Sequence, residues 1–238
     1  MQARRDALPS ALTKAIVIGA GGGIGSALAA AIEARGTEVL RLSRHSDPPL
    51  DLEDDASIEA AAAAVADRAP FDLILIATGL LHGAGVSPEK SVSQIDGAAF
   101  DRLFRVNATG PALVMRHFLP LLARDRRGVI AALSARVGSI GDNRLGGWVG
   151  YRSAKAALNQ IVRTLAIELA RTHPHTILVG LHPGTVDTGL SAPFQRNVAP
   201  DKLFSPQLAA TRLLNVIVEL VSADSGGCFD FAGERIAP

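Results

Sequence analysis

A tyrosine and a lysine stand four residues apart in Tyr151-Arg152-Ser153-Ala154-Lys155, at the start of a stretch with helical periodicity. On a helix this spacing puts the phenol and the ammonium on one face, about one turn apart. A nearby cation favours phenolate and lowers the tyrosine pKa from about 10, so the phenol can exchange a proton with a carbonyl or an alcohol. Such a pair also occurs by chance, so acid–base chemistry here needs support from other motifs.

A glycine-rich turn, Gly19-Ala20-Gly21-Gly22-Gly23-Ile24-Gly25, directly follows a short apolar run. Glycines let the backbone turn sharply and let a pyrophosphate approach the first N–H groups of the next helix, at the positive end of its dipole. The alternative is a turn that only links a strand to a helix. Its place in the first βα turn favours dinucleotide binding. The expected contacts are Gly19, Gly22, Gly23, Ile24 and Gly25.

The end of the second predicted strand bears on which dinucleotide binds. Ser43 stands 18 residues after Gly25, near where NAD-binding folds place an acidic residue on the ribose, and Arg44 follows it. Arg44 can pair with a 2′-phosphate, although an ordinary surface arginine is the alternative. We therefore expect NADP(H) in preference to NAD(H). Asp51 and Leu52 are expected beside the adenine, with Asp51 accepting from its amino group.

The scaffold for these residues is predicted by apolar runs of strand length that alternate with Ala/Leu-rich helical segments. We expect strands at 15–18, 38–42, 71–77, 128–133, 176–181 and 228–231, and helices at 26–35, 55–68, 100–124, 151–171 and 206–221. The pattern predicts an α/β fold, a Rossmann-type doubly wound parallel sheet of about seven strands with helices on both faces. Residues 1–238 are expected to form one NAD(P)-binding domain, with 1–13 as a short N-terminal extension.

Composition excludes several other classes of protein. The chain has 238 residues, 48% hydrophobic and 20% charged, as in a packed globular protein. A net charge of +1 with scattered basic residues gives no reason to expect nucleic-acid binding. The single cysteine, Cys228, rules out an internal disulfide, and we find neither a secretory signal nor an apolar run of membrane-spanning length. We expect a cytoplasmic protein with no membrane partner, and no metal site, because the six histidines lack ligand spacing.

Four motifs in this order resemble the short-chain dehydrogenase/reductase family. They are the turn Gly19 to Gly25, Asn107 in Val106-Asn107-Ala108-Thr109-Gly110-Pro111, Tyr151 with Lys155, and Pro183-Gly184-Thr185-Val186-Asp187-Thr188. The resemblance covers nearly the whole chain. Thr78-Gly79-Leu80-Leu81-His82 and Gly138-Ser139-Ile140 are similar to the C-factor-like and sniffer-type carbonyl reductase branch.

The resemblance implies roles for individual residues. Tyr151 would be the general acid/base, Lys155 would position the ribose and lower the tyrosine pKa, and Asn107 would anchor a water in the proton relay. The cofactor would also contact Ala77, Thr78 and Gly79 and, at its nicotinamide end, Pro183, Gly184, Val186 and Thr188. The implied substrate is a small carbonyl compound or alcohol. The family also suggests a homodimer or homotetramer formed through helices 100–124 and 151–171.

Departures from the family pattern concern the oxyanion donor and the cofactor turn. In Leu133-Ser134-Ala135-Arg136-Val137-Gly138, Ala135 stands where the family has its catalytic serine. Alanine cannot donate to a developing oxyanion, so Ser134 or Ser139 would have to do so, and Ser134 is the first choice because it ends the strand. Ile76-Ala77-Thr78-Gly79 replaces Asn-Asn-Ala-Gly, and Gly22 stands where NADP-preferring relatives often carry a basic residue.

Three functions remain open at this point. The first is an NAD(P)-dependent oxidoreductase that interconverts a carbonyl and a secondary alcohol by hydride transfer, with Tyr151 and Lys155 in the site. The second, motivated by Ala135, is a nucleotide-binding sensor or signalling protein with little turnover. The third is another reaction of the family, such as epimerisation or dehydration.

Overall fold

The sheet is built from the apolar runs of the sequence. In the computed structural model, which describes residues 12–83 and 85–238, β1 (Lys14–Ile18), β3 (Leu73–Ile76), β4 (Gly128–Leu133) and β5 (Thr176–His182) are buried almost throughout. Strands covered on both faces need such continuous apolar runs. The strands β2 (Glu38–Leu42) and β8 (Cys228–Asp230) form the two edges. Most of the extension expected at 1–13 lies outside the described residues.

All neighbouring strands of this sheet are parallel, in the order β2-β1-β3-β4-β5-β8. The predicted doubly wound sheet is confirmed, although it has six strands among the described residues where about seven were expected. A separate small sheet pairs β6 (Thr185–Val186) with β7 (Leu203–Phe204). It follows β5 and covers the carboxyl edge of the main sheet.

The described residues form six α-helices, five of which pack on the two faces of the sheet. The six helices are α1 (Gly23–Glu33), α2 (Asp55–Ala64), α3 (Gly97–Phe104), α4 (Gly110–Phe118), α5 (Val149–Thr172) and α6 (Pro206–Glu219). Ile58, Val114 and Leu158 of α2, α4 and α5 pack on one face, and Leu28 and Leu213 of α1 and α6 pack on the other. No helix among the described residues is both long and apolar enough to cross a lipid bilayer.

The helix that we expected at 100–124 contains a π-helical turn in its middle and ends early, at Phe118. Between α3 and α4 the chain forms a π-helical turn, Arg105–Thr109, in which the Gly110 N–H donates to the Arg105 carbonyl five residues back. Gly110 lies so close to Leu52 that a Cβ atom would be 2.8 Å from the Leu52 Cβ. The helix ends near Pro120 because proline has no N–H for the helical ladder.

Candidate active site

The glycine turn between β1 and α1 has a backbone that other residues could not adopt. Gly19 has a φ of +86°, and a Cβ atom there would lie 2.7 Å from the Ala77 carbonyl oxygen. A Cβ atom at Gly25 would lie 2.2 Å from the Gly19 oxygen. Gly22 starts α1 without a side-chain cap from the described residues, and the first turn carries no acidic side chain. This positive helix end is therefore open to an anion.

A cavity of about 560 Å³ extends from this turn across the carboxyl ends of β1, β2 and β3. Nine residues of the predicted cofactor site line it. They are Gly19, Gly22, Ser43, Arg44, Asp51, Leu52, Ala77, Thr78 and Gly79. The structure thus brings these predicted residues together around one cleft.

Thr78 carries a polar atom that suits a bound ligand. Its Oγ1 atom is buried and has no hydrogen-bond partner among the described residues. A buried hydroxyl without a partner is costly, and a ligand with polar groups in this cleft would supply one. The open helix end and this hydroxyl fit a dinucleotide, which would lie with its phosphates on the turn 19–25.

Arg44 lies at the other end of the cavity, just after β2. It is exposed and forms no hydrogen bond or ion pair with any residue that the structure describes. The carboxylate of Glu53 lies nearby, but it is held by Arg102 through contacts of 2.8 and 2.9 Å. Arg44 is therefore available to an anionic group of a ligand.

The residues expected at the nicotinamide end approach the turn from the opposite side and do not line the cavity. A Cβ atom at Gly23 would lie 2.7 Å from the Thr188 Cγ2 atom, so the two loops are in contact. Ile24 packs against buried Val186. Pro183 is buried, and Gly184 has a φ of +80° beside Phe204.

Tyr151 and Lys155 both lie in the first turns of α5 and are buried, with exposed fractions of 8% and 2%. The Lys155 Nζ atom lies 5.8 Å from the centre of the tyrosine ring and donates to the Leu133 carbonyl at 2.8 Å. A Cβ atom at Gly79 would lie 3.9 Å from this Nζ atom. The pair thus adjoins the cavity at Gly79.

Burial changes the expected ionisation of this pair. It raises the pKa of Tyr151 to about 12 and lowers the pKa of Lys155 to about 8. The shift of the Tyr151 pKa is opposite to the lowering that we expected from the ammonium, because in this cofactor-free structure burial desolvates the phenolate. Tyr151 is consequently a neutral phenol with a proton to donate.

Asn107 lies in the π-helical turn and is completely buried. Its Oδ1 atom accepts from the Leu80 N–H at 3.1 Å, and its Nδ2 atom donates to the carbonyls of Leu80 and Leu103. The side chain therefore holds the loop after β3. Pro111, four residues on, has no N–H to donate to the Asn107 carbonyl. The water that Asn107 is expected to anchor stays a prediction.

The serine that we expected to replace the family serine is engaged elsewhere. The Ser134 hydroxyl donates to the Asn159 Oδ1 atom at 2.6 Å, so its one proton is already used within the protein. The Ser139 hydroxyl donates to the Pro238 carbonyl at 3.3 Å. Ala135, in contrast, packs in the same cluster as Tyr151. This geometry argues against Ser134 as the oxyanion donor and leaves a methyl group at the expected position.

Aromatic side chains border Tyr151. The Trp148 ring lies 6.5 Å from the Tyr151 ring and 5.0 Å from the Phe194 ring, and the His82 ring meets the Phe194 ring edge to face at 5.7 Å. Phe194 belongs to the segment between β6 and β7. Together they form an apolar wall beside the phenol. Among the described residues, no three His, Cys, Asp or Glu side chains are arranged to hold a metal ion.

Two residues near the site were missed by sequence reasoning. Asn159 could have been found, because it stands four residues after Lys155 on the same face of α5. Glu89 is 3% exposed and accepts from the Gly150 N–H, which is 61 residues away in the chain. No local pattern marks such a distant contact.

The fold and the cavity define a Rossmann-type nucleotide-binding protein. The chain belongs to the short chain dehydrogenase family, whose model matches residues 13–199. It is 35% identical over 158 residues to the C-signal of Myxococcus xanthus, covering 66% of this chain and 90% of that protein. This match confirms the expected resemblance to the C-factor-like branch.

Two solved structures share the whole fold. An NADPH-bound carbonyl reductase from chicken fatty liver has a TM-score of 0.83 at 22% identity, covering 99% of this chain and 98% of its own. A putative short-chain dehydrogenase/reductase from Burkholderia multivorans with bound NADP has a TM-score of 0.79 at 26% identity. That alignment covers 95% of this chain and 100% of the other.

Proposed function

We propose that this protein is an NADP(H)-dependent oxidoreductase that reduces a small carbonyl compound to a secondary alcohol. The observation that carries the proposal is the neutral Tyr151 phenol, buried next to Lys155 where the dinucleotide cleft ends at Gly79. NADP(H) is favoured over NAD(H) by the available Arg44 and by the NADP-bound relatives. When bound, the cofactor supplies or accepts a hydride.

The residues of the chain would hold the cofactor and manage the proton. The turn 19–25 and the Thr78 hydroxyl would bind its polar groups, and Arg44 its 2′-phosphate. Tyr151 would donate its proton to the carbonyl oxygen as negative charge develops there. A pKa of about 12 keeps this proton on the phenol at neutral pH. The apolar wall of Trp148 and Phe194 would exclude water.

Replacing Tyr151 with phenylalanine tests the proposal, because it removes only the hydroxyl. The NADPH-dependent reduction of a panel of aldehydes and ketones should fall by about 10²-fold or more. Binding of NADPH should remain, since Tyr151 does not line the cavity. Reduction at the wild-type rate by the phenylalanine variant would contradict the proposed role.

A second candidate is a nucleotide-binding sensor with little turnover, favoured by the Ala135 methyl group beside Tyr151. It predicts that the wild-type protein binds NADPH but oxidises none of it over a broad carbonyl panel. The homodimer or homotetramer that the family resemblance implies stays a prediction. Sedimentation of the purified chain measures it directly.

A further inference from the structure

A buried carboxylate lies at the start of the helix that carries Tyr151. Glu89 is 3% exposed and has no ion-pair partner among the residues that the structure describes. Both of its carboxylate oxygens lie 3.3 Å from the Gly150 nitrogen, which donates to them. Burying a charge is costly unless donors or a favourable field compensate for it. The N–H of Gly150 and the positive end of the α5 dipole provide both.

The start of α5 cannot cap itself. The residue before the helix is Trp148, whose indole is a donor only and cannot accept from the unpaired N–H groups of the first turn. Its φ of +53° is left-handed, which is unfavourable for a bulky side chain. Such a conformation persists only where the surroundings fix it. The Trp148 N–H donates to the main-chain carbonyl of Glu89 at 2.6 Å.

Glu89 therefore holds the start of α5 at two residues. Its main-chain carbonyl accepts from Trp148, and its side chain accepts from Gly150. The fit is close, because a Cβ atom at Gly150 would lie 2.8 Å from the Glu89 Oε1 atom and 2.7 Å from the Leu103 Cδ1 atom. Tyr151 is the next residue, so a shift of this turn would move the phenol. The Arg152 Nε atom donates to the Gly147 carbonyl at 2.9 Å, which ties the same turn from the other side.

We propose that Glu89 is a positioning residue for the reaction: its buried carboxylate caps α5 and fixes the Tyr151 phenol at the cofactor cleft. The inference rests on the proposed function. Three variants separate the features of the side chain. Glu89→Met removes both charge and acceptor, Glu89→Gln keeps an oxygen for the Gly150 N–H, and Glu89→Asp is too short by one methylene group.

Two readouts test the proposal. Because a small misplacement of a reacting group is costly, Glu89→Met should lower kcat by about tenfold or more, while the Kd for NADPH changes less than about twofold. Glu89→Gln should restore kcat to within about threefold of the wild-type value. The emission of Trp148, the only tryptophan, should shift and become more accessible to quencher in Glu89→Met and return in Glu89→Gln. Glu168→Met, which removes an exposed carboxylate from the same helix, is the matched control and should change neither readout.

Several results would overturn the inference. Wild-type kcat in Glu89→Met would do so, as would a loss of NADPH affinity that parallels the loss of kcat. If Glu89→Met does not fold, Glu89→Asp takes its place, and wild-type kcat and Trp148 emission in that variant would overturn the inference. If the wild-type protein reduces no carbonyl, the proposed function fails, and the Trp148 emission alone decides whether Glu89 holds the start of α5.

Discussion

Replacing Lys155 with methionine should change how the stability of the protein depends on pH. The side chain is 2% exposed, and burial lowers its pKa from 10.5 to about 8. A tenfold change in an ionisation constant corresponds to about 1.4 kcal/mol, so keeping this ammonium buried at pH 7 costs about 3 kcal/mol. The folded protein holds this proton more weakly than the unfolded chain does.

The sign of the effect follows from the two pKa values. The cost is fully present below about pH 8 and disappears as the pH rises towards 10.5, where the unfolded lysine also loses its proton. Between pH 7 and pH 10 the wild-type protein should therefore gain about 2 kcal/mol in unfolding free energy relative to Lys155→Met. Titrating groups that do not interact with Lys155 cancel in this comparison, and Cys228, whose pKa Lys155 lowers, is the exception. The lost hydrogen bond to Leu133 affects both pH values alike.

Urea unfolding of both cofactor-free proteins at the two pH values, followed by Trp148 fluorescence, measures the difference. Lys202→Met, in which an exposed lysine is replaced, is the control and should show no such gain. If the stability difference between wild type and Lys155→Met is the same at pH 7 and pH 10, the buried ammonium does not destabilise the folded protein. The reasoning from its burial would then be refuted.

Three further substitutions test the cleft. Gly25→Ala should weaken NADPH binding by about tenfold or more, because its Cβ would lie 2.2 Å from the Gly19 oxygen; unchanged affinity in a fluorescence titration would contradict this. Thr78→Val should leave the unfolding free energy of the cofactor-free protein the same or about 1 kcal/mol higher, since Oγ1 has no partner among the described residues, while lowering NADPH affinity. A clear loss of stability on denaturant titration would show that the hydroxyl is bonded within the protein. Ala135→Ser should raise kcat for a simple ketone by about tenfold by adding a donor beside Tyr151, and an unchanged kcat would show that one donor suffices.

The sequence was sufficient for the sheet and for residues that line the cleft, because both depend on local patterns. Runs such as Leu73–Ile76 are apolar at every position, and only a strand covered on both faces accommodates them at this length. The glycine spacing after β1 identifies a turn whose backbone excludes side chains. Arg44 was found by its distance from that turn, because the βαβ geometry fixes where the second strand ends.

Features that depend on distant contacts could not be predicted in this way. The periodicity of residues 100–124 continues through the π-helical turn, whereas the close approach of Gly110 to Leu52 exists only in the folded protein. Ser134 was expected in the site because it lies at a strand end. Its hydroxyl instead donates a hydrogen bond to Asn159 of α5, which is 25 residues away in the chain. The pKa of Tyr151 depends on burial by the whole surrounding cluster, which the spacing to Lys155 does not reveal.

The paired bonds between Asn107 and Leu80 restrict the length of the segment that joins β3 to the cleft. The side-chain amide of Asn107 accepts from the N–H of Leu80 and donates to its carbonyl, as a neighbouring strand would. A shift of the chain by one residue would therefore break both bonds. The three residues between Ile76 and Leu80 therefore have a fixed count. An insertion or deletion within this three-residue segment should break both bonds.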